Sequence, residues 1–82
     1  MSTKLFVGGI PFRMSEEELR GAFSVAGSVL SVFIAKERDT KRPRGFGFVE
    51  MANNDEADNA ISLFNGKEIG GRRVAVNLAQ KA

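Results

Sequence analysis

The chain is expected to fold as an α+β domain in which two helices cover one face of a four-stranded antiparallel sheet and leave the other face open. Three observations predict this. Four short segments carry the alternating, β-branched and aromatic pattern of strands. Two segments between them carry a helical apolar stripe behind a capping residue, and the order along the chain is βαββαβ. Two strand–helix–strand halves with right-handed crossovers place both helices on one side of the sheet. Each helix has a single stripe, so the pair can cover one side of four strands and no more.

Lys4 to Gly8 alternates polar and apolar positions and runs into Gly9-Ile10-Pro11, a first strand leading to a loop. Ser15 stands three residues before Glu18, the capping-box spacing in which hydroxyl and carboxylate each satisfy a backbone amide. Leu19, Ala22, Phe23 and Ala26 then fall at i, i+3, i+4 and i+7 before Gly27, which makes the first helix. Val29 to Ala35 is a second strand, the charged stretch Lys36 to Pro43 a long hairpin loop, and Arg44 to Met51 a third strand. Asn53 or Asn54 caps a second helix, equal in length to the first, with Ala57, Ala60, Ile61 and Phe64 on its stripe and Asn65-Gly66 as its stop. Gly70-Gly71 forms a turn, and Arg72 to Leu78 is a last strand with Val74 and Val76 on one face. The result is the ferredoxin-like βαββαβ sandwich. A single domain is expected over residues 1–82, with its core at 4–79.

Composition narrows the function. At 43% hydrophobic and 27% charged residues the chain reads as a soluble globular monomer. It has no cysteine, which removes disulfide frameworks and thiolate zinc sites. No apolar run reaches the roughly 18 residues of a membrane helix. Met1-Ser2-Thr3-Lys4 leads straight into the first strand with no signal-peptide pattern, so the expected location is cytoplasmic, without a membrane partner. The net charge of +2 is distributed unevenly: Lys36 to Arg44 holds five basic and two acidic residues, and the acids gather at Glu16-Glu17-Glu18 and at Asp55, Glu56 and Asp58. Both acidic groups open helices, where carboxylates favour the positive end of the dipole, and they imply no partner.

The third strand points to the functional face. Its side chains alternate, so Gly45, Gly47, Val49 and Met51 share one side while Arg44, Phe46, Phe48 and Glu50 share the other. Burying the phenylalanines would draw Arg44 and Glu50 inward, at high cost for the charges. The glycines therefore face inward, leaving room for close helix packing, and two rings face water. The same alternation puts Leu5, Val7, Val32 and Ile34 inside and Phe6 and Phe33 outside. Four of the seven phenylalanines then share the open face, Phe23 and Phe64 serve the core, and Phe12 lines a loop. Exposed rings at this density mark a site. With the basic loop beside them (Lys41 and Arg42), Lys4 on the first strand, and Arg73 and Asn77 outward on the last, they have the chemistry of a platform for single-stranded nucleic acid. Bases stack on flat rings at about 1–3 kcal/mol each while cations neutralise phosphates, so micromolar binding to a few nucleotides is expected.

At these residues the sequence resembles the RNA-recognition-motif family, over nearly the whole chain. Arg44-Gly45-Phe46-Gly47-Phe48-Val49-Glu50-Met51 matches the family octamer, basic-Gly-aromatic-Gly-aromatic-Val-any-aromatic, at every position but the last, and Leu5-Phe6-Val7-Gly8-Gly9-Ile10 is similar to its shorter hexamer. The resemblance implies that Phe6 and Phe48 each stack a base, that Phe46 packs against the sugars between them, and that Arg44 meets a phosphate. The length is similar to that of the small single-domain members of bacteria and organelles. Met51 departs from the pattern at a position facing the core. Gly9 stands where the family often has Asn. Phe33 is an extra ring on the second strand, either another stacking position or a contact for a protein.

The expected partner is single-stranded RNA, with single-stranded DNA open because stacking serves both, and with no small-molecule substrate or cofactor. A protein-interaction module using the same face is the alternative. An enzyme is not expected. Gly8 to Arg13 resembles the phosphate-binding loop of acylphosphatases, in which Arg13 would cradle a phosphate. That family also needs an asparagine in the central strands, and none precedes Asn53. There is no histidine to serve as a neutral-pH base and no Walker-type or dinucleotide-binding glycine loop.

Overall fold

The computed structural model describes residues 3–40 and 43–79, with the side chains of Pro43 and Arg44 outside that description. Its elements are β1 (Lys4–Gly8), α1 (Glu16–Phe23), β2 (Val29–Lys36), β3 (Pro43–Met51), α2 (Asn54–Phe64), β4 (Glu68–Ile69), β5 (Arg72–Arg73) and β6 (Ala75–Leu78). The four longer strands form one antiparallel sheet in the order β2-β3-β1-β6. The α+β arrangement expected from the sequence is the one observed.

The helices begin where their caps require. The Ser15 hydroxyl accepts from the Glu18 amide at 3.1 Å and the Glu18 carboxylate accepts from the Ser15 amide at 3.0 Å, closing the capping box. Asn53 caps α2 by accepting from the Glu56 amide at 2.9 Å, and the helix ends at Asn65, followed by Gly66 at φ +81°. α2 has 11 residues against 8 in α1, so the two are not equal in length.

One core lies between the sheet and the helices. Leu5 and Val7 of β1, Val49 and Met51 of β3, Ile34 of β2 and Val76 of β6 meet Leu19 and Phe23 of α1 and Ala57 and Ala60 of α2. Phe23 and Phe64 stack with ring centroids 4.6 Å apart. Met51 is fully buried, in agreement with its expected inward position. Burial of each large aliphatic or aromatic side chain contributes about 1.5–3 kcal/mol, and this layer holds the sheet rigid enough to display its other face.

The last strand differs from expectation. In place of one strand over Arg72 to Leu78, Arg72–Arg73 pairs with Glu68–Ile69 in a separate two-stranded hairpin, and pairing with β1 begins only at Ala75. The break is at Val74, whose amide donates to the Lys67 carbonyl and whose carbonyl accepts from the Gly66 amide, both at 2.8 Å. These bonds hold the backbone away from β1. Gly70 and Gly71 supply the positive φ values, +60° and +87°, that the intervening turn needs.

The helices and their flanks also satisfy the outer strands. β2 is an edge strand, and from α1 the Glu16 carboxylate accepts from the Ile34 amide at 3.1 Å while the Arg20 guanidinium donates to the Val29 carbonyl at 2.9 Å. On the opposite edge the Asn65 side-chain oxygen accepts from the Val76 amide at 3.0 Å. Glu56 accepts from the Ser28 amide at 2.8 Å. Three of the helix-start acids therefore bind backbone amides in addition to favouring the helix dipole. The Val29, Ile34 and Val76 backbone groups of the two edge strands are thereby occupied and not open to pairing with another chain.

Candidate functional site

On the face away from the helices, strand register brings the aromatic residues into one row. Phe33 of β2 lies opposite Phe48 of β3, Phe48 opposite Phe6 of β1, and Phe6 opposite Asn77 of β6. One cross-strand line therefore runs over all four strands as three rings and an amide. Phe46, two residues before Phe48, lies opposite Gly8. A methyl group at Gly8 would come within 3.1 Å of the Phe6 ring, so the missing side chain leaves the space in which that ring lies beside Phe46.

The rings touch but do not fuse into a closed cluster. Phe6 and Phe46 are stacked with centroids 5.8 Å apart, and Phe33 and Phe48 are stacked at 6.5 Å. Phe48 meets Phe6 edge-on at 5.9 Å and Phe46 edge-on at 6.5 Å. Phe6, Phe46 and Phe48 are half-buried by one another, and Phe33 remains 55% exposed. Offset and edge-on arrangements of this kind stabilise aromatic groups laterally while leaving faces open. The Lys4 ammonium lies 5.2 Å from the Phe48 centroid, a cation–π contact that puts positive charge at the margin of the row.

The inner side of β3 has a reason for glycine that alternation alone does not reveal. A side chain at Gly47 would collide with the Phe33 carbonyl of β2 and sit 3.0 Å from the Ile34 α-carbon. Gly47 therefore admits the neighbouring strand, and close helix packing is not what requires it. Gly9 has φ +79°, and a side chain there would strike the Arg73 carbonyl, so glycine suits this position on both counts.

The expected site residues divide into three groups. Phe6, Phe33, Phe46 and Phe48 are brought together, with Lys4 at their margin and Asn77 exposed at the end of the row. Arg73 is exposed but belongs to the β4–β5 hairpin, so it borders the sheet from a loop and does not stand beside Asn77 on one strand. Lys41 and Arg42 lie outside the described residues, as does the side chain of Arg44. Gly45 has φ +87°, and the β2–β3 register shifts between Ile34 and Lys36, so the pairing is irregular toward the start of β3. Among the described residues no group of three or more acidic, histidine or cysteine side chains is arranged to hold a metal ion.

Comparison with known proteins supplies the frame for this geometry. The family model described as RNA recognition motif matches residues 5–75. The chain is 46% identical over 79 residues to the mitochondrial glycine-rich RNA-binding protein 4 of Arabidopsis thaliana, covering 96% of this chain and 58% of that protein. Among solved structures it is similar to RNA-binding protein PG1, at TM-score 0.91 and 37% identity, covering 99% of this chain and 98% of that one. It is also similar to the Sxl-lethal protein/RNA complex, at TM-score 0.92 and 26% identity, covering all of this chain and 49% of that one. No helix among the described residues is long and apolar enough to cross a membrane.

Proposed function

Given that this chain belongs to the RNA recognition motif family, we propose that it binds single-stranded RNA on the open face of its sheet. Phe6 and Phe48 each stack a base, Phe46 packs against the sugars between them, and Phe33 extends the platform toward the β2 edge. Lys4, Arg44 and Arg73, with Lys41 and Arg42 of the hairpin loop, neutralise phosphates. Asn77 hydrogen-bonds a base edge at the β6 end of the row. The single observation that carries this reading is the Phe33–Phe48–Phe6–Asn77 register across all four strands. A row of partly exposed rings suits unstacked bases, because every base offers a π-face and stacking tolerates any sequence.

The proposal is for a monomer acting by binding, with no catalytic step. It includes the cytoplasm as the setting, with an organelle as the alternative that localisation of the full-length protein decides. Single-stranded DNA is a second ligand the same rings accept.

Salt dependence separates RNA from an apolar protein partner. The affinity for a randomised pool of short single-stranded RNA, measured by fluorescence anisotropy, is expected to fall with a log–log slope of about −0.7 per neutralised phosphate. RNA binding with a flat salt response would remove the phosphate contacts from the account, and no RNA binding by the folded protein would move the face to a protein partner.

A further inference from the structure

A fifth phenylalanine on the protein surface lies outside the platform. Phe12, in the loop between β1 and α1, is 60% exposed, against 55% for Phe33, the most exposed ring of the platform. A single exposed ring is ordinary, but this one has two specific neighbours. The Arg72 guanidinium lies 5.5 Å from its centroid. Its Cε1 atom lies 3.5 Å from where a β-carbon on Gly45 would be, so the ring borders the β3 backbone one residue before Phe46.

The topology gathers these groups at one end of the sheet. β1 ends at Gly8, opposite Phe46 near the start of β3 and opposite Ala75 at the start of β6. The β1–α1 loop, the beginning of β3 and the β4–β5 hairpin therefore meet there, and the Ile10 amide donates to the Gly45 carbonyl at 2.8 Å to fasten the first two. Exposed Arg13, Arg72 and Arg73 bring positive charge to the same end.

We infer that Phe12 and Arg72 form an additional station for single-stranded RNA, taking a nucleotide that continues off the platform past Phe46. The inference rests on the platform reading above. Phe12 supplies a flat face for a base, and Arg72, held near the ring by cation–π attraction, meets the adjoining phosphate. An arginine beside an exposed ring suits this ligand better than an apolar peptide, because a nucleotide presents both a π-face and an anion within one residue.

The test uses two randomised, labelled RNA pools, one of about four nucleotides, enough for the platform, and one of about eight, long enough to leave it. Phe12→Ala is expected to weaken binding of the longer pool about tenfold and Arg72→Gln about threefold, with the shorter pool unaffected by either. Thermal melting monitors the fold, and Phe12→Leu, which keeps an apolar group over Gly45 without a flat ring, gives the same selective loss if Phe12→Ala disturbs the loop. Unchanged affinity for the longer pool overturns the station and leaves the platform standing. Equal losses on both pools overturn it as well, because the pair then acts through the shape of the platform. If the unsubstituted protein binds neither pool, the platform reading itself fails and the station falls with it.

Discussion

Phe23 and Phe64 stack at 4.6 Å on the helix side of the sheet, and Phe6, Phe33, Phe46 and Phe48 meet at 5.8–6.5 Å on the other side. The residue type is the same, but the surroundings differ. Phe23 is fully buried among Leu19, Ala57 and the inward residues of the strands, whereas Phe33 keeps more than half its surface in water. The contrast separates two uses of apolar area: on the helix side Phe23 is already removed from water and Phe64 packs partly buried against it, and on the open side burial is left for a partner to complete. The inner face therefore stabilises the fold and the outer face is available for binding.

Three substitutions test that division, beginning with the largest effect. Phe23→Ala is expected to destabilise the protein by about 3–5 kcal/mol in urea unfolding, while the remaining folded fraction keeps its RNA affinity. Phe48→Ala is expected to lose about 1–3 kcal/mol of RNA binding by titration calorimetry, with stability changed by about 1 kcal/mol or less. Unfolding by Phe48→Ala would erase the distinction between the faces. Ser15→Ala, which opens the capping box of α1, is expected to cost about 1 kcal/mol of stability without touching RNA affinity, since it acts only on the helix side.

The sequence alone was enough for whatever depends on local period. Alternation in Lys4–Gly8 and over Phe46 to Met51 sorts Leu5, Val7, Val49 and Met51 from Phe6, Phe46 and Phe48, and the structure places them on those sides. The Ser15–Glu18 capping box is equally local. Features that depend on long-range partners were not legible. Val74 reads as a strand residue, yet its backbone is bonded to Gly66 and Lys67, which splits the expected last strand and moves Arg73 onto a hairpin. Glu16 and Glu56 read as helix-start charges, but the amides they accept from lie 18 and 28 residues away. Gly47 reads as room for a helix, and the structure shows the Phe33 carbonyl there instead. Phe12 reads as a loop residue because nothing in its neighbourhood along the chain announces Arg72, 60 positions later.

The most direct test is an amide-shift map by NMR of the labelled protein titrated with a randomised pool of short single-stranded RNA. The account predicts shifts concentrated at Phe6, Phe33, Phe46, Phe48 and Asn77, with Phe23, Ala57 and Ala60 on the helix side nearly still. A folded protein whose open face stays silent while RNA is added, or whose shifts fall on the helices, would contradict it.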